Sequence, residues 1–364
     1  MAEAVAQTKY ECPGCGADAH WNPAKSALVC PYCGTNSPAE LNADTGVVVE
    51  NDLVSALRNL SPDQRGWKAE KVSVRCQSCQ AVSVFAPERI AQRCEFCGSA
   101  QIVPLEQVLA PIRPECLLPF VVSEPQVREA MRSWYGSRWF APNRLKTAAL
   151  TDTLKGIYLP YWTFDARAIS DWTAEAGYHY YETETYRDGN GQTQTRQVQR
   201  TRWQWASGRV DHFFDDELVS ASRGVDGDLL RQVEPFPTKQ AAPYDAGYVA
   251  GWTVEQYQID LISAAQRSRE RMHASMHSRC ASDVPGDTHR NLSVSTAFHE
   301  QTFKHMLLPV WLLSYTYGSK SYQVLVNGST GQIAGHRPWS AIKLFFFTVG
   351  CLILILILVA AFQR

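Results

Sequence analysis

Two cysteine quartets carry the chemistry that this chain advertises. The first is Cys12-Pro13-Gly14-Cys15, fourteen residues, then Cys30-Pro31-Tyr32-Cys33; the second is Cys76-Gln77-Ser78-Cys79, fourteen residues, then Cys94-Glu95-Phe96-Cys97. Each cysteine of the first recurs 64 positions on, as do Trp21 (Phe85), Pro23 (Pro87) and Gly34 (Gly98). A CxxC turn lets two thiolates reach one ion, and two such turns from facing hairpins complete a tetrahedral sulfur site. Soft thiolates in that arrangement suit zinc or iron, and the spacing reads as two zinc ribbons with one structural Zn2+ each. The duplication argues against the alternatives, disulfide pairs or reduced structural cysteines. Four thiolates leave no open position for water or substrate, so such a metal folds a loop too small to bury its own core.

Other reactive groups are dispersed. Cys116, Cys280 and Cys351 are scattered, and thiolate sites with lone thiols belong to a reducing compartment. His273 and His277 stand four apart with Cys280 following, but the HExxH pattern is absent and solvent-facing histidines are the favoured reading. Neither a phosphate-binding loop, a GxSxG elbow nor a GxGxxG fingerprint occurs, so no catalytic residues are assigned and no enzyme is expected. Formal net charge is -1, which advertises no nucleic-acid binding. The run with Arg196, Arg200, Arg202, Arg209, Trp203 and Trp205 would suit stacked bases, but Glu175, Glu182 and Glu184 offer its arginines partners. Nucleic acid is therefore possible but not favoured.

The elements that position these groups follow from periodicity. Residues 1–35 form ribbon 1 and 74–103 ribbon 2, joined by a connector (36–73) with a short helix capped by Asn51 or Asp52. A Pro-rich linker, 104–117, leads into an aromatic-rich α+β domain, 118–338. Pro125 to Trp139 reads as a helix capped by Ser123. Ile157 to Ala166 reads as an apolar strand. Residues 168–210 read as one long hairpin, with its turn in Asp188-Gly189-Asn190-Gly191. A helix is expected over Val254 to Cys280, then strands over Asn291 to His299, Lys304 to Tyr317 and Tyr322 to Val326. Leu159-Pro160-Tyr161-Trp162 echoes Leu308-Pro309-Val310-Trp311, which hints at two related halves. The expected class is α+β: two N-terminal zinc ribbons, a mainly antiparallel β middle domain with helices, and one C-terminal transmembrane helix. That last helix is expected in 339–364, because Leu344 to Phe362 is uncharged and spans about 28 Å. Arg337 and Lys343 before it set a single-pass orientation, with the N-terminal bulk in the cytoplasm.

With these marks the chain resembles a bacterial family of tail-anchored double zinc-ribbon membrane proteins. The resemblance rests on the two CxxC–CxxC ribbons, Leu159 to Ala166, the Val326-Asn327-Gly328-Ser329-Thr330-Gly331 turn and the apolar C-terminus. Members are labelled TFIIB-type zinc-ribbon proteins or relatives of the primosomal replication-restart helicase (primosomal protein N-prime-like). The helicase likeness is confined to cysteines, and no nucleotide-binding loop is present here. The resemblance implies an adaptor or scaffold at the bacterial inner (cytoplasmic) membrane, contacting the bilayer through residues 344–362. It also implies protein partners of the SPFH or phage-shock membrane-stress type, or self-association.

Overall fold

The computed structural model describes residues 10–36, 48, 50–58, 72–85, 94, 96, 99–104, 112–142, 154–187, 189, 192–317 and 320–362. Among them the chain is mostly β. A small antiparallel sheet, β1 (His20–Asn22) and β2 (Ala27–Val29), belongs to ribbon 1. All other strands join one sheet of twelve. Its spine is three very long strands, β8 (Leu154–Arg187), β9 (Thr193–Ser220) and β12 (Thr288–Tyr317). Antiparallel pairing runs β9–β8–β12. On the far side of β12 lie β13 (Lys320–Asn327) and then β14 (Ile333–Gly335).

The expected α+β class is thus corrected to a mostly β fold with few helices and a large mixed sheet. The mixture comes from very short strands. β11 (Thr253–Glu255) runs parallel to β8, and β7 (Cys116–Leu117) runs parallel to β12. On its other edge β11 pairs with β5 (Val82–Phe85), which leads to β4 (Val72–Cys76) and β6 (Ile102–Pro104). β10 (Ala242–Pro243) pairs with β7, and β3 (Asn51–Asp52) with β12.

Burial along β8 grades with what covers it. From Ile157 to Ala166 both faces are buried, which is why that run is apolar without alternation. From Arg167 to Ala176 alternate residues are buried, with Ala168, Trp172 and Ala174 on the covered face. Beyond His179 almost every residue is exposed. The covering element is α4 (Leu261–Asp283), whose buried stripe is Leu261, Ala264, Ser268, Met272, Met276 and Cys280. Asp260 caps it by accepting from the Ser263 amide at 2.7 Å, so the helix begins seven residues after the expected Val254. Where α4 ends, the Trp172 indole donates to Asp283 at 2.8 Å; the same ring lies 2.6 Å from where a Cβ on Gly208 would stand, so only glycine fits there.

The remaining helices are α1 (Leu53–Arg58), α2 (Glu124–Gly136), α3 (Gly227–Val233) and α5 (Ala341–Phe362). Asp52 caps α1 through the Ser55 amide at 2.7 Å. The echo segments lie side by side, with Leu308 opposite Leu159. β12 is continuous across two expected strands, with register shifts at Arg290/Ser293 and His299/Thr302.

The C-terminal expectation is also corrected. α5 forms, and its apolar side chains are exposed, Phe346 and Leu356 at 68% each. Yet among the described residues no helix is long and apolar enough to cross a membrane. Lys343 lies in the first turn of α5, its ammonium donating to the Trp139 and Ala141 carbonyls at 2.9 Å each. The single-pass inner-membrane placement falls with the spanning helix.

Candidate metal centres

Each ribbon is built from tight turns that present sulfur. In ribbon 1 the Gly16 amide donates to the Cys12 carbonyl at 2.8 Å and the Cys12 amide to the Ala17 carbonyl at 2.8 Å. In ribbon 2 the Gln80 amide donates to Cys76 at 2.9 Å and the Cys76 amide to Ala81 at 2.9 Å. Gly16 and Gln80 share the left-handed backbone that closes this turn, φ +72° and +65°. The second turns match too: Cys30 donates to the Thr35 carbonyl at 3.0 Å, and Cys94 to the Ser99 carbonyl at 2.7 Å.

These turns gather Cys12, Cys15, Cys30 and Cys33, whose sulfurs all lie within 4.8 Å of one another. Cys12 and Cys33 sulfurs are 3.4 Å apart, and Cys15 and Cys30 3.5 Å. Tetrahedral sulfur at ordinary zinc–thiolate bond lengths puts ligands about 3.8 Å apart, so the donor set fits a metal. The Gly14 amide donates to the Cys12 sulfur at 3.4 Å, the kind of bond that supports a thiolate ligand. Cys76, Cys79 and Cys94 form the second group, with Cys79 and Cys94 sulfurs 3.5 Å apart and the Phe96 amide donating to Cys94. Cys97 lies outside the described residues. Both groups could hold a metal ion.

The other sulfur and imidazole candidates are not brought together. His273 meets the Phe298 ring edge-on at 4.9 Å, His277 is exposed, and Cys280 is buried on the inner face of α4. Burial pushes the Cys116 thiol up to about 12, which leaves it an unreactive packing residue.

Sequence reasoning missed a buried polar cluster at the base of the sheet. Lys304, 7% exposed, contacts Asp216 at 2.8 Å and Glu50 at 3.0 Å. Thr302 donates to Glu50 and Asp165 carboxylates, and the Asp216 amide donates to Asp165 at 2.5 Å. The register shifts at Phe164/Ala166 and His299/Thr302 turn these side chains toward one another. Burial alone would lower the Lys304 ammonium, but its carboxylate partners carry it well above the ordinary lysine range. Burial raises Asp165 to about 6. Beside the cluster, burial lifts Glu115 to about 7 against the His305 and Asn51 donors that favour its charged form. Burial also drops His305 to about 4. The available signal was a charge inside an apolar strand, Asp165 after Phe164 and Lys304 after Phe303.

No family model matches the chain, and no solved structure matches it. It is similar to the uncharacterized protein YdjG of Bacillus subtilis (strain 168), 25% identical over 334 residues, which covers 91% of this chain and 90% of that protein.

Proposed function

We propose that this protein is a double zinc-ribbon adaptor, not an enzyme, whose first ribbon docks a protein partner. Each ribbon holds one structural Zn2+, with Cys97 completing the second site. The observation that carries the reading is the tip of ribbon 1. Tyr32, between Cys30 and Cys33, is 82% exposed, while its counterpart Phe96 is fully buried in the body of the molecule. An aromatic on a metal-stiffened turn is a low-entropy anchor for a partner. The family resemblance points to SPFH-type or phage-shock-type assemblies as the partner class.

The nucleic-acid reading loses support from the hairpin itself. Arg196 and Arg200 are paired with Glu184, and Arg209 with Asp171, so three of the run's four arginines already face a carboxylate. The test is a photo-crosslinking residue at position 32 of the full chain, expressed in its own cells, with adducts read by mass spectrometry. One dominant protein adduct, lost from a competing Tyr32→Ala chain that still carries two zinc ions, is expected. Absence of any protein adduct, or nucleic acid in its place, overturns the reading.

A further inference from the structure

A groove with a cavity volume of about 440 Å³ crosses the base of β8 and β12 between α1 and α4, away from both ribbons. That volume is in the range of small-molecule sites. Its walls are apolar: Val54 and Leu57 from α1, Phe164 from β8, Ile262 and Met272 from α4. Val54, Leu57 and Ile262 keep 41%, 42% and 62% of their surface in solvent, so the lip of the groove is open and apolar. Single exposed apolar side chains are ordinary, but three converging on one concavity are not.

Two polar features say what the groove would take. Ser268 is the hydroxyl in an otherwise apolar buried stripe of α4. It is 2% exposed, lines the groove, and its oxygen has no hydrogen-bond partner among the described residues. A buried hydroxyl is ordinarily satisfied, so an open one lining a cavity marks a place for a ligand atom. The next residue, Arg269, is exposed on the lip. Its guanidinium lies 5.5 Å from the centre of the Phe298 ring and donates to Gln301 at 3.2 Å, and it has no carboxylate partner among the described residues. Asp165, which also lines the groove, is already engaged by the Asp216 amide and Thr302. The groove therefore pairs an apolar trough with donors on the α4 side.

We propose that this groove binds a long-chain carboxylate. The apolar chain lies along Val54, Leu57, Ile262 and Met272, and the carboxylate accepts from Arg269 and Ser268.

The test is calorimetric titration of the full-length protein with sodium dodecanoate below its micelle concentration, with dodecylamine as the charge-reversed control. Saturable one-site binding of dodecanoate, stronger than that of dodecylamine, is expected. Arg269→Gln, a change at an exposed position, should weaken it about tenfold, the size of one charge-assisted contact. Ala265→Trp, which fills the groove from a half-buried position, should abolish it. Absence of saturable dodecanoate binding, a preference for dodecylamine, or unchanged affinity in Arg269→Gln overturns the proposal.

Discussion

At position 32 a tyrosine stands in solvent, and 64 residues later its counterpart, Phe96, is sealed in the core. The cysteine turns around them carry the same hydrogen bonds, so the knuckle itself does not decide the difference. The neighbouring strands do. In ribbon 2, β4 and β5 are members of the twelve-stranded sheet, with Val254 of β11 opposite Val84. The Ser314 hydroxyl donates to the Phe96 carbonyl and fixes the knuckle against β12. In ribbon 1, β1 and β2 form a two-stranded sheet of their own, with one bridge from Val29 to Asn36. That ribbon docks through side chains instead: Ala19, Trp21 and Leu28 enter the core beside Phe120, the Trp21 indole donates to the Phe120 carbonyl at 3.1 Å, and the Trp21 amide donates to Ala250. A two-stranded sheet is marginal by itself. One copy of the duplicated module has become part of the wall, and the other remains an attachment.

Ligand removal should separate the copies most widely. Cys94→Ser is expected to cost the whole body about 4 kcal/mol or more, because losing the second metal releases strands that the main sheet uses. Cys30→Ser should release one ion per chain, expose the amides of residues 10–36 to hydrogen exchange, and shift the main unfolding transition by less than about 1 kcal/mol. Equal global losses from the two variants would show that ribbon 1 is as integral as ribbon 2.

The knuckle aromatics sharpen the same contrast. Phe96→Ala should destabilise by about 3–5 kcal/mol in urea titrations, as for other buried aromatics. Tyr32→Ala should stay within about 0.5 kcal/mol. A large effect at Tyr32 would mean that its ring packs on the chain itself.

A third change acts on the body alone and should leave the metal content at wild-type level. Glu115 titrates near 7 when folded, against about 4.5 when unfolded, so the folded state holds the extra proton between those values. Stability from this group is present at low pH and is lost as pH rises through 7. Glu115→Gln, compared with wild type by urea titration, should therefore gain relative stability from pH 4.5 to 7, by about 3 kcal/mol at most. His305 works in the opposite sense, losing stability on acidification from 6.5 toward 4, and is common to both proteins. A pH-independent difference would place Glu115 in water.

The sequence made the cysteine groups legible because their signal is local: spacing of two residues, then fourteen, twice. The long hairpin was legible for the same reason, with turn residues between two runs rich in Thr, Tyr and Gln, and Arg187 now pairs with Thr193 across the turn. Strand ends were harder. The positive-φ residues Asn291 and Glu300 mark where β12 shifts register without stopping, so one strand reads as several. The mixed sheet was hidden because β7 and β11 have two and three residues, too few to show a period. The Lys304 cluster draws on residues 50, 165, 216 and 304, and only non-local pairing brings them together.

The continuity of β8 has a mechanical consequence. Its thirty-four residues run unbroken from the strands beside ribbon 2 to the bare tip of the hairpin, roughly 110 Å. Force applied along that axis loads the ladder to β9 and β12 in shear, where many hydrogen bonds must yield together. Force applied across the tip meets only two strands and bends them. The molecule is thus stiff lengthwise and compliant sideways, a long beam clamped where β8 meets the strands of ribbon 2.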